Sequence, residues 1–312
     1  MKKSTKRILF AAGASVAAIY GYNKFIESTA TQKNLLTKEN GNIYNWKNGN
    51  IFYTKSGNGS PLLLIHDADA SASSVEWSRL LSHLEEKHTV YCIDLLGCGR
   101  SDKPALEYTN YLYVQLITSF VKDVISEKTT VVATNISSSF VIMANHMDDT
   151  LFDKIILINP VSLDTTNTIP DETSKLKKRI IELPFIGSFI YNVMTNSKHI
   201  DESFRNKYYE SPQLISASME ETYYEAAHTN GSNGRYLYSS LLGNYLNNTM
   251  THAIKDLSKP TLIIGNTGDD YQEINPMIDM VTIVDCNLYP HMETPDEVSI
   301  TIEEFLQKET TE

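Results

Sequence analysis

Residues 129–146 read TTVVATNISSSFVIMANH. The run opens on a short apolar segment, Thr129–Thr134, of the kind that fills a strand buried on both faces. It passes through Asn135 and Ile136 into three serines and then an apolar stretch, Ser138–His146, with helical spacing. A strand that becomes a helix within two residues needs small side chains at the bend, and Ala133 and Ser137 supply them. Working outward, Leu62–His66, Thr89–Asp94 and Lys154–Asn159 have the same buried-strand character, as do Thr261–Gly265 and Thr282–Asp285. Helical stretches separate them: Glu76–Glu86, where Trp77, Leu80, Leu81 and Leu84 share a face, then residues 110–126, and finally Pro295–Lys308. An Asn48-Gly49 pair between alternating segments marks a hairpin. Strands alternating with helices, with apolar runs rather than alternation, predict an α/β fold with a doubly wound, mostly parallel sheet.

The expected organisation is an α/β core over 42–160 and 259–308, interrupted by a helical, tyrosine-rich insertion over 161–258 that reads as a cap. Residues 28–41 are polar and read as a linker, and 309–312 as a tail. The chain has 312 residues, 41% of them apolar and 21% charged, an ordinary globular composition. Net charge is −11; with Lys2, Lys3, Lys6 and Arg7 set aside, 23 basic residues face 38 acidic ones, a balance of −15. An acidic body of that size repels phosphates, so nucleic acid is not an expected partner. Cys92, Cys98 and Cys286 form neither a disulfide framework nor metal-ligand spacing, and Gly97-Cys-Gly99 is too short for a dinucleotide loop. Neither a metal nor a cofactor is expected.

Four stretches carry a family resemblance. Leu62-Leu-Leu-Ile-His66-Asp67 resembles a strand ending in His-Gly ahead of an oxyanion loop, and Asp94-Leu-Leu-Gly97-Cys-Gly99-Arg100-Ser101-Asp102 resembles an Asp-x-x-Gly-x-Gly-x-Ser turn. Lys154-Ile-Ile-Leu-Ile-Asn-Pro160 and His291-Met-Glu293-Thr-Pro295 resemble the strand after the elbow helix and the entry to the last helix. Together they resemble the α/β-hydrolase superfamily, in its helical-capped, lipase/epoxide-hydrolase-like branch, over roughly residues 42–308. The resemblance implies a Ser-His-Asp triad, its serine on a sharp strand-to-helix turn.

The triad positions depart from that pattern. Placed without gaps, Val131-Val132-Ala133-Thr134-Asn135-Ile136-Ser137 puts Asn135 at the nucleophile, and an amide has no proton to yield to a general base. Asp269 falls on the acid. Leu288 falls on the base, within Leu288-Tyr289-Pro290-His291, and cannot accept a proton. Asp67 stands where the oxyanion loop usually has glycine, and Ile136 follows the nucleophile position; an ionised carboxylate there opposes a developing oxyanion. A fallback triad shifts the nucleophile to Ser137 and the base to His291. The serines otherwise read as a helix start capping backbone N–H groups, and His291 as structural. His66, Asn135, Ser137 and Tyr289 are the candidate pocket residues; Asp94 and Arg100 are read as holding the Gly-x-Gly turn.

Residues 8–22 carry no charge and follow a basic end. A bilayer span needs about 20 residues, and residues 8–26 reach a marginal length. Residues 1–27 therefore read as a signal anchor with the folded domain outside the cytoplasm, as a cleaved signal peptide of a secreted protein, or as an interfacial helix. Three functions follow. One is a hydrolase-fold protein with a degenerate triad that binds a small apolar or acyl ligand or a partner; another is a serine esterase using Ser137, His291 and Asp269; the third is a membrane-tethered structural module.

Overall fold

The computed structural model describes residues 3–36 and 40–308, with side chains from Gly13 onward; the expected tail, 309–312, lies outside the described residues. The Asn48-Gly49 pair closes a hairpin between β1 (Asn42–Trp46) and β2 (Gly49–Ser56), with Trp46 opposite Gly49. β2 pairs antiparallel with β4 (His88–Ile93), and β4 lies parallel to β3 (Ser60–Ile65). Beyond β3 come β5 (Thr129–Thr134), β6 (Phe152–Ile158), β7 (Thr261–Ile264) and β8 (Asp279–Val281), all parallel. The sheet order among the described residues is β1-β2-β4-β3-β5-β6-β7-β8. The chain moves to one side of β3 with β4 and to the other with β5, so the loops leaving β3 and β5 face the crevice where open α/β sheets hold ligands.

Alternate strand residues feed two cores, as a pleat with a period of about two residues requires. Leu62, Leu64, Val132 and Ile156 pack with Trp77 and Leu80 and with Val298 and Ile302 of α14 (Pro295–Gln307). Leu63, Ile65, Val131 and Leu157 pack on the other side with Tyr113 and Ile117 of α3 (Asn110–Phe120) and Phe140 of α4 (Ser137–Met147). The helix expected over Glu76–Glu86 starts as a 3-10 turn, Ser74–Trp77, before α2 (Ser78–Leu84). The strand expected at Thr282–Asp285 is displaced: the edge pairing uses Asp279–Val281, after which Ile283 turns inward beside Val298 and leaves the ladder.

Between β6 and β7 the chain is helical: α5 (Leu163–Thr166), α6 (Glu172–Glu182), α7 (Ile186–Met194), α8 (Ser197–Ser203), α9 (Ala217–His228), α10 (Arg235–Leu242) and α11 (Thr251–Lys255). The first residues of the expected linker are instead the end of α1 (Lys3–Thr29), which packs on α7 through Tyr22 and Phe189 and through Asn23, whose amide donates to the Phe185 carbonyl. No helix among the described residues is long and apolar enough to cross a membrane, residues 8–26 included. Asp94 organises the Gly-x-Gly turn: it accepts from the Ser74 and Arg100 backbone N–H groups and from the Arg100 guanidinium. Gly99 has φ +45, and a Cβ there would lie 2.3 Å from Asp94 Oδ2, so the turn closes only around glycine.

Candidate active site

β5 ends at Thr134 and α4 starts at Ser137, so Asn135 sits on the bend with φ +44, a left-handed conformation that asparagine tolerates better than most residues. Its N–H bonds to Ile158 O and its carbonyl accepts from Ser138 N, which pins the bend to β6. The Asn135 side chain is half-buried and donates through Nδ2 to Asp67 Oδ2 at 2.8 Å. Asp67, on the loop after β3, takes two more donors. The Ile136 backbone N–H reaches Oδ1 at 3.3 Å, and the Tyr289 hydroxyl reaches Oδ2 at 2.8 Å.

This convergence decides what the site can do. The N–H after the nucleophile position and an N–H from the loop after β3 are the groups that hold an oxyanion in this kind of fold. Here the first is taken by Asp67, and the Asp67 N–H itself points at Glu76 Oε2 in a long 3.5 Å contact. Asp67 is buried, and burial pushes its carboxyl above the ordinary carboxylate range against the opposing pull of Lys207 and the Asn135 hydrogen bond. The Asp67 side chain therefore stands against the N–H that follows Asn135.

The fallback groups have other partners. The Ser137 hydroxyl is fully buried and donates to His66 O at 2.7 Å. His291, on the short helix α13 (Pro290–Glu293, which follows α12, Asp269–Ile274), is also fully buried; its Nε2 lies 3.0 Å from Glu76 Oε1 and its ring lies tilted against Trp77. Glu76 Oε1 also accepts the Thr134 hydroxyl. The three serines do not cap N–H groups as expected; all three are fully buried, and their hydroxyls donate to the carbonyls of His66, Ala133 and Ile136. His66 lies under the oxyanion loop, with Nδ1 beside Asp67 O and Nε2 accepting from Leu95 N. Asp269 is exposed and makes no hydrogen bond or ion pair among the described residues. Leu288 is half-buried beside the aromatic cluster of Tyr208, Tyr223 and Tyr289.

Two organising residues escaped the sequence reading. Glu76 looked like a helix start, yet it ties α13 to β5; nothing local in the sequence couples it to a histidine 215 positions away. Asn159, at the end of β6 with φ +40, donates to the carbonyls of Asn287 and Leu288 and accepts from the backbone of Asn266 and Thr267. It thereby joins the loops that carry the acid and base positions. An asparagine directly before Pro160 was the only available signal. A cavity of about 380 Å³ opens between the Asp69–Ser71 turn and the cap, lined by Met194, His199, Ile200, Tyr208 and Tyr238 among others. The larger space, about 550 Å³, lies at the starts of β6 and β7, around Lys154, Thr261 and Phe305, at the other end of the strands from Asn135. Among the described residues no group of three His, Cys, Asp or Glu is placed to hold a metal ion.

The sequence pattern of the family described as "Alpha/beta hydrolase family" matches residues 62–299. The chain belongs to this family. Solved structures with the same fold include a meta-cleavage product hydrolase from Pseudomonas fluorescens, 18% identical with a TM-score of 0.68, over 86% of this chain and 98% of that one. A bacterial membrane phospholipase A is similar over 98% of both chains, at 18% identity and a TM-score of 0.66. Among curated proteins, an uncharacterised protein of Mycobacterium tuberculosis is 28% identical over 102 residues, 33% of this chain and 29% of that one. A 2-hydroxy-6-oxo-6-(2'-aminophenyl)hexa-2,4-dienoic acid hydrolase of Metapseudomonas resinovorans is 34% identical over 65 residues, 20% of this chain and 22% of that protein. The chain thus spans less than a third of the length of the curated relatives it matches.

Proposed function

We propose that this chain is a hydrolase-fold protein without the family's acyl-transfer chemistry, which binds a small apolar or acyl ligand in its cap–core cleft instead of turning one over. The observation that carries this reading is the Asp67 carboxylate, which accepts from Ile136 N–H, Asn135 Nδ2 and the Tyr289 hydroxyl at once. A substrate carbonyl has no free donor at that point, and a second negative charge there meets the first. The amide of Asn135 supplies no nucleophile, and Leu288 supplies no base. The cavity of about 380 Å³ beside the cap supports binding: Met194, Ile200, Tyr208 and Tyr238 give it apolar wall, and Asp69, Glu202 and Lys207 add charged groups able to orient a polar end.

The reading is tested by rebuilding the chemistry. The triple variant Asp67→Gly, Asn135→Ser, Leu288→His is expected to hydrolyse p-nitrophenyl esters that the unaltered chain leaves intact. Turnover by the unaltered chain, abolished by Ser137→Ala, would overturn the proposal.

A further inference from the structure

The outer face of the cap runs against the usual arrangement of an amphipathic helix. On α6 the inward positions are Ser174, Lys178 and Ile181, while Leu176, Ile180 and Leu183, spaced i, i+4, i+7, face outward at 57%, 38% and 46% exposure. The stripe continues through the turn into α7 with Phe185 and Ile186, 55% and 50% exposed. Phe185 is held outward by a γ-turn of the strained kind, φ +61 and ψ −57, closed by Ile186 N–H on Pro184 O at 2.7 Å. A bulky residue persists there only because the surroundings fix it, and the Asn23 amide of α1 does so by bonding the Phe185 carbonyl.

The surface is continuous with α1. Tyr20 packs on Phe185 at 6.3 Å, and one turn earlier Val16 is 59% exposed. Gly13 and Gly21 have no atom within 4 Å of a built Cβ, so α1 leaves the globule beside this corner. The border carries Lys175, Lys177, Lys178 and Arg179 against Asp171, Glu172 and Glu182. Lys175 and Lys178 are paired with Glu172 and Glu182, whereas Lys177 and Arg179 are exposed and make no salt bridge among the described residues. An apolar stripe edged by the exposed cations Lys177 and Arg179 complements an anionic lipid surface.

We propose that the α6–α7 corner is a membrane-docking surface that seats the cap on anionic lipid headgroups, with the exposed residues of α1 in the same apolar plane. The partner is the bilayer surface itself. Sedimentation of the full chain with vesicles tests this. Equimolar phosphatidylglycerol and phosphatidylcholine are expected to bind it about tenfold or more tightly than phosphatidylcholine alone. The combined variant Leu176→Gln, Ile180→Gln, Leu183→Gln, Phe185→Asn changes only exposed side chains. It is expected to keep the melting temperature and lose vesicle binding about tenfold or more. Ile186→Trp is expected to be quenched by brominated phospholipid over the low background of buried Trp46 and Trp77. Unchanged binding by the combined variant, an unquenched tryptophan, or no binding to either vesicle overturns the proposal. So does a dimer in ultracentrifugation that the same variant dissociates, which would make a second copy the occupant. None of these substitutions touches the Asp67 constellation, so the outcome is separate from the catalytic question.

Discussion

Replacing Asp67 with alanine removes the acceptor shared by Asn135, Ile136 and Tyr289. The Tyr289 hydroxyl and the Ile136 N–H are buried and lose their partner, at about 1–3 kcal/mol each. Asn135 is half-buried and can turn toward water, so its loss counts for less. Against this stands the relief of no longer burying a carboxylate, an effect visible in its raised pKa. The balance is a net destabilisation of about 2–4 kcal/mol, or a fall in melting temperature of roughly 3–6 °C for a chain of this size. The pH dependence has a definite sign. A carboxyl whose folded-state pKa is raised holds more protons folded than unfolded, so its contribution is greatest in acid. That contribution declines as pH rises from the ordinary 3.8 through the raised value. The gap between the unaltered chain and Asp67→Ala should therefore narrow from about pH 4 toward neutrality. Urea unfolding followed by circular dichroism at several pH values measures it. An alanine variant as stable as the parent at acid pH, or a gap that widens as pH rises, refutes the reasoning.

Three further outcomes are expected. Burial pushes the Asp94 carboxyl up, but the Arg100 charge and its hydrogen bonds overcome this and hold it at about 2, so the pair stabilises above pH 3.8 and fails as pH falls through 2. Asp94→Asn should cost about 3 kcal/mol at pH 7 and flatten the acid limb of the unfolding profile. Lys103 is buried on the carbonyls of Gly97 and Ala226, and burial lowers its pKa to about 8. The folded chain sheds this proton before the unfolded one, so stability should rise between pH 8 and 10.5 by up to about 3 kcal/mol, a rise that Lys103→Met abolishes in calorimetry. Glu76→Ala strands His291 and Thr134 in the core and should cost about 3–5 kcal/mol in urea unfolding, whereas His291→Ala and Thr134→Val leave the carboxylate other partners and cost less.

The sheet was legible because its signals are local. Val131–Thr134 is apolar without alternation because both faces are covered, and the Asp94-x-x-Gly turn is a contiguous device in which one carboxylate gathers the next six residues. Thr282–Asp285 misled because an apolar triplet says nothing about which residues meet the edge of β7, and the pairing falls three residues earlier. The place of Asn135 on the bend could be read by offset from the strand, yet what fills the site could not. Asp67 and Tyr289 are 222 residues apart, and only the closed fold brings the hydroxyl to the carboxylate. Glu76 is invisible for the same reason: a carboxylate at a helix start reads as solvated until the turn that carries it is found buried under α13. The outward stripe on α6 was also hidden, since helical periodicity gives an apolar face without saying which way it points.

The most direct measurement of the central claim is the intact mass of the purified chain after prolonged exposure to a fluorophosphonate. The account predicts an unchanged mass, because Asn135 offers no nucleophile and the Ser137 hydroxyl is buried against His66 O. A phosphonyl adduct on Ser137, lost in Ser137→Ala, would contradict it.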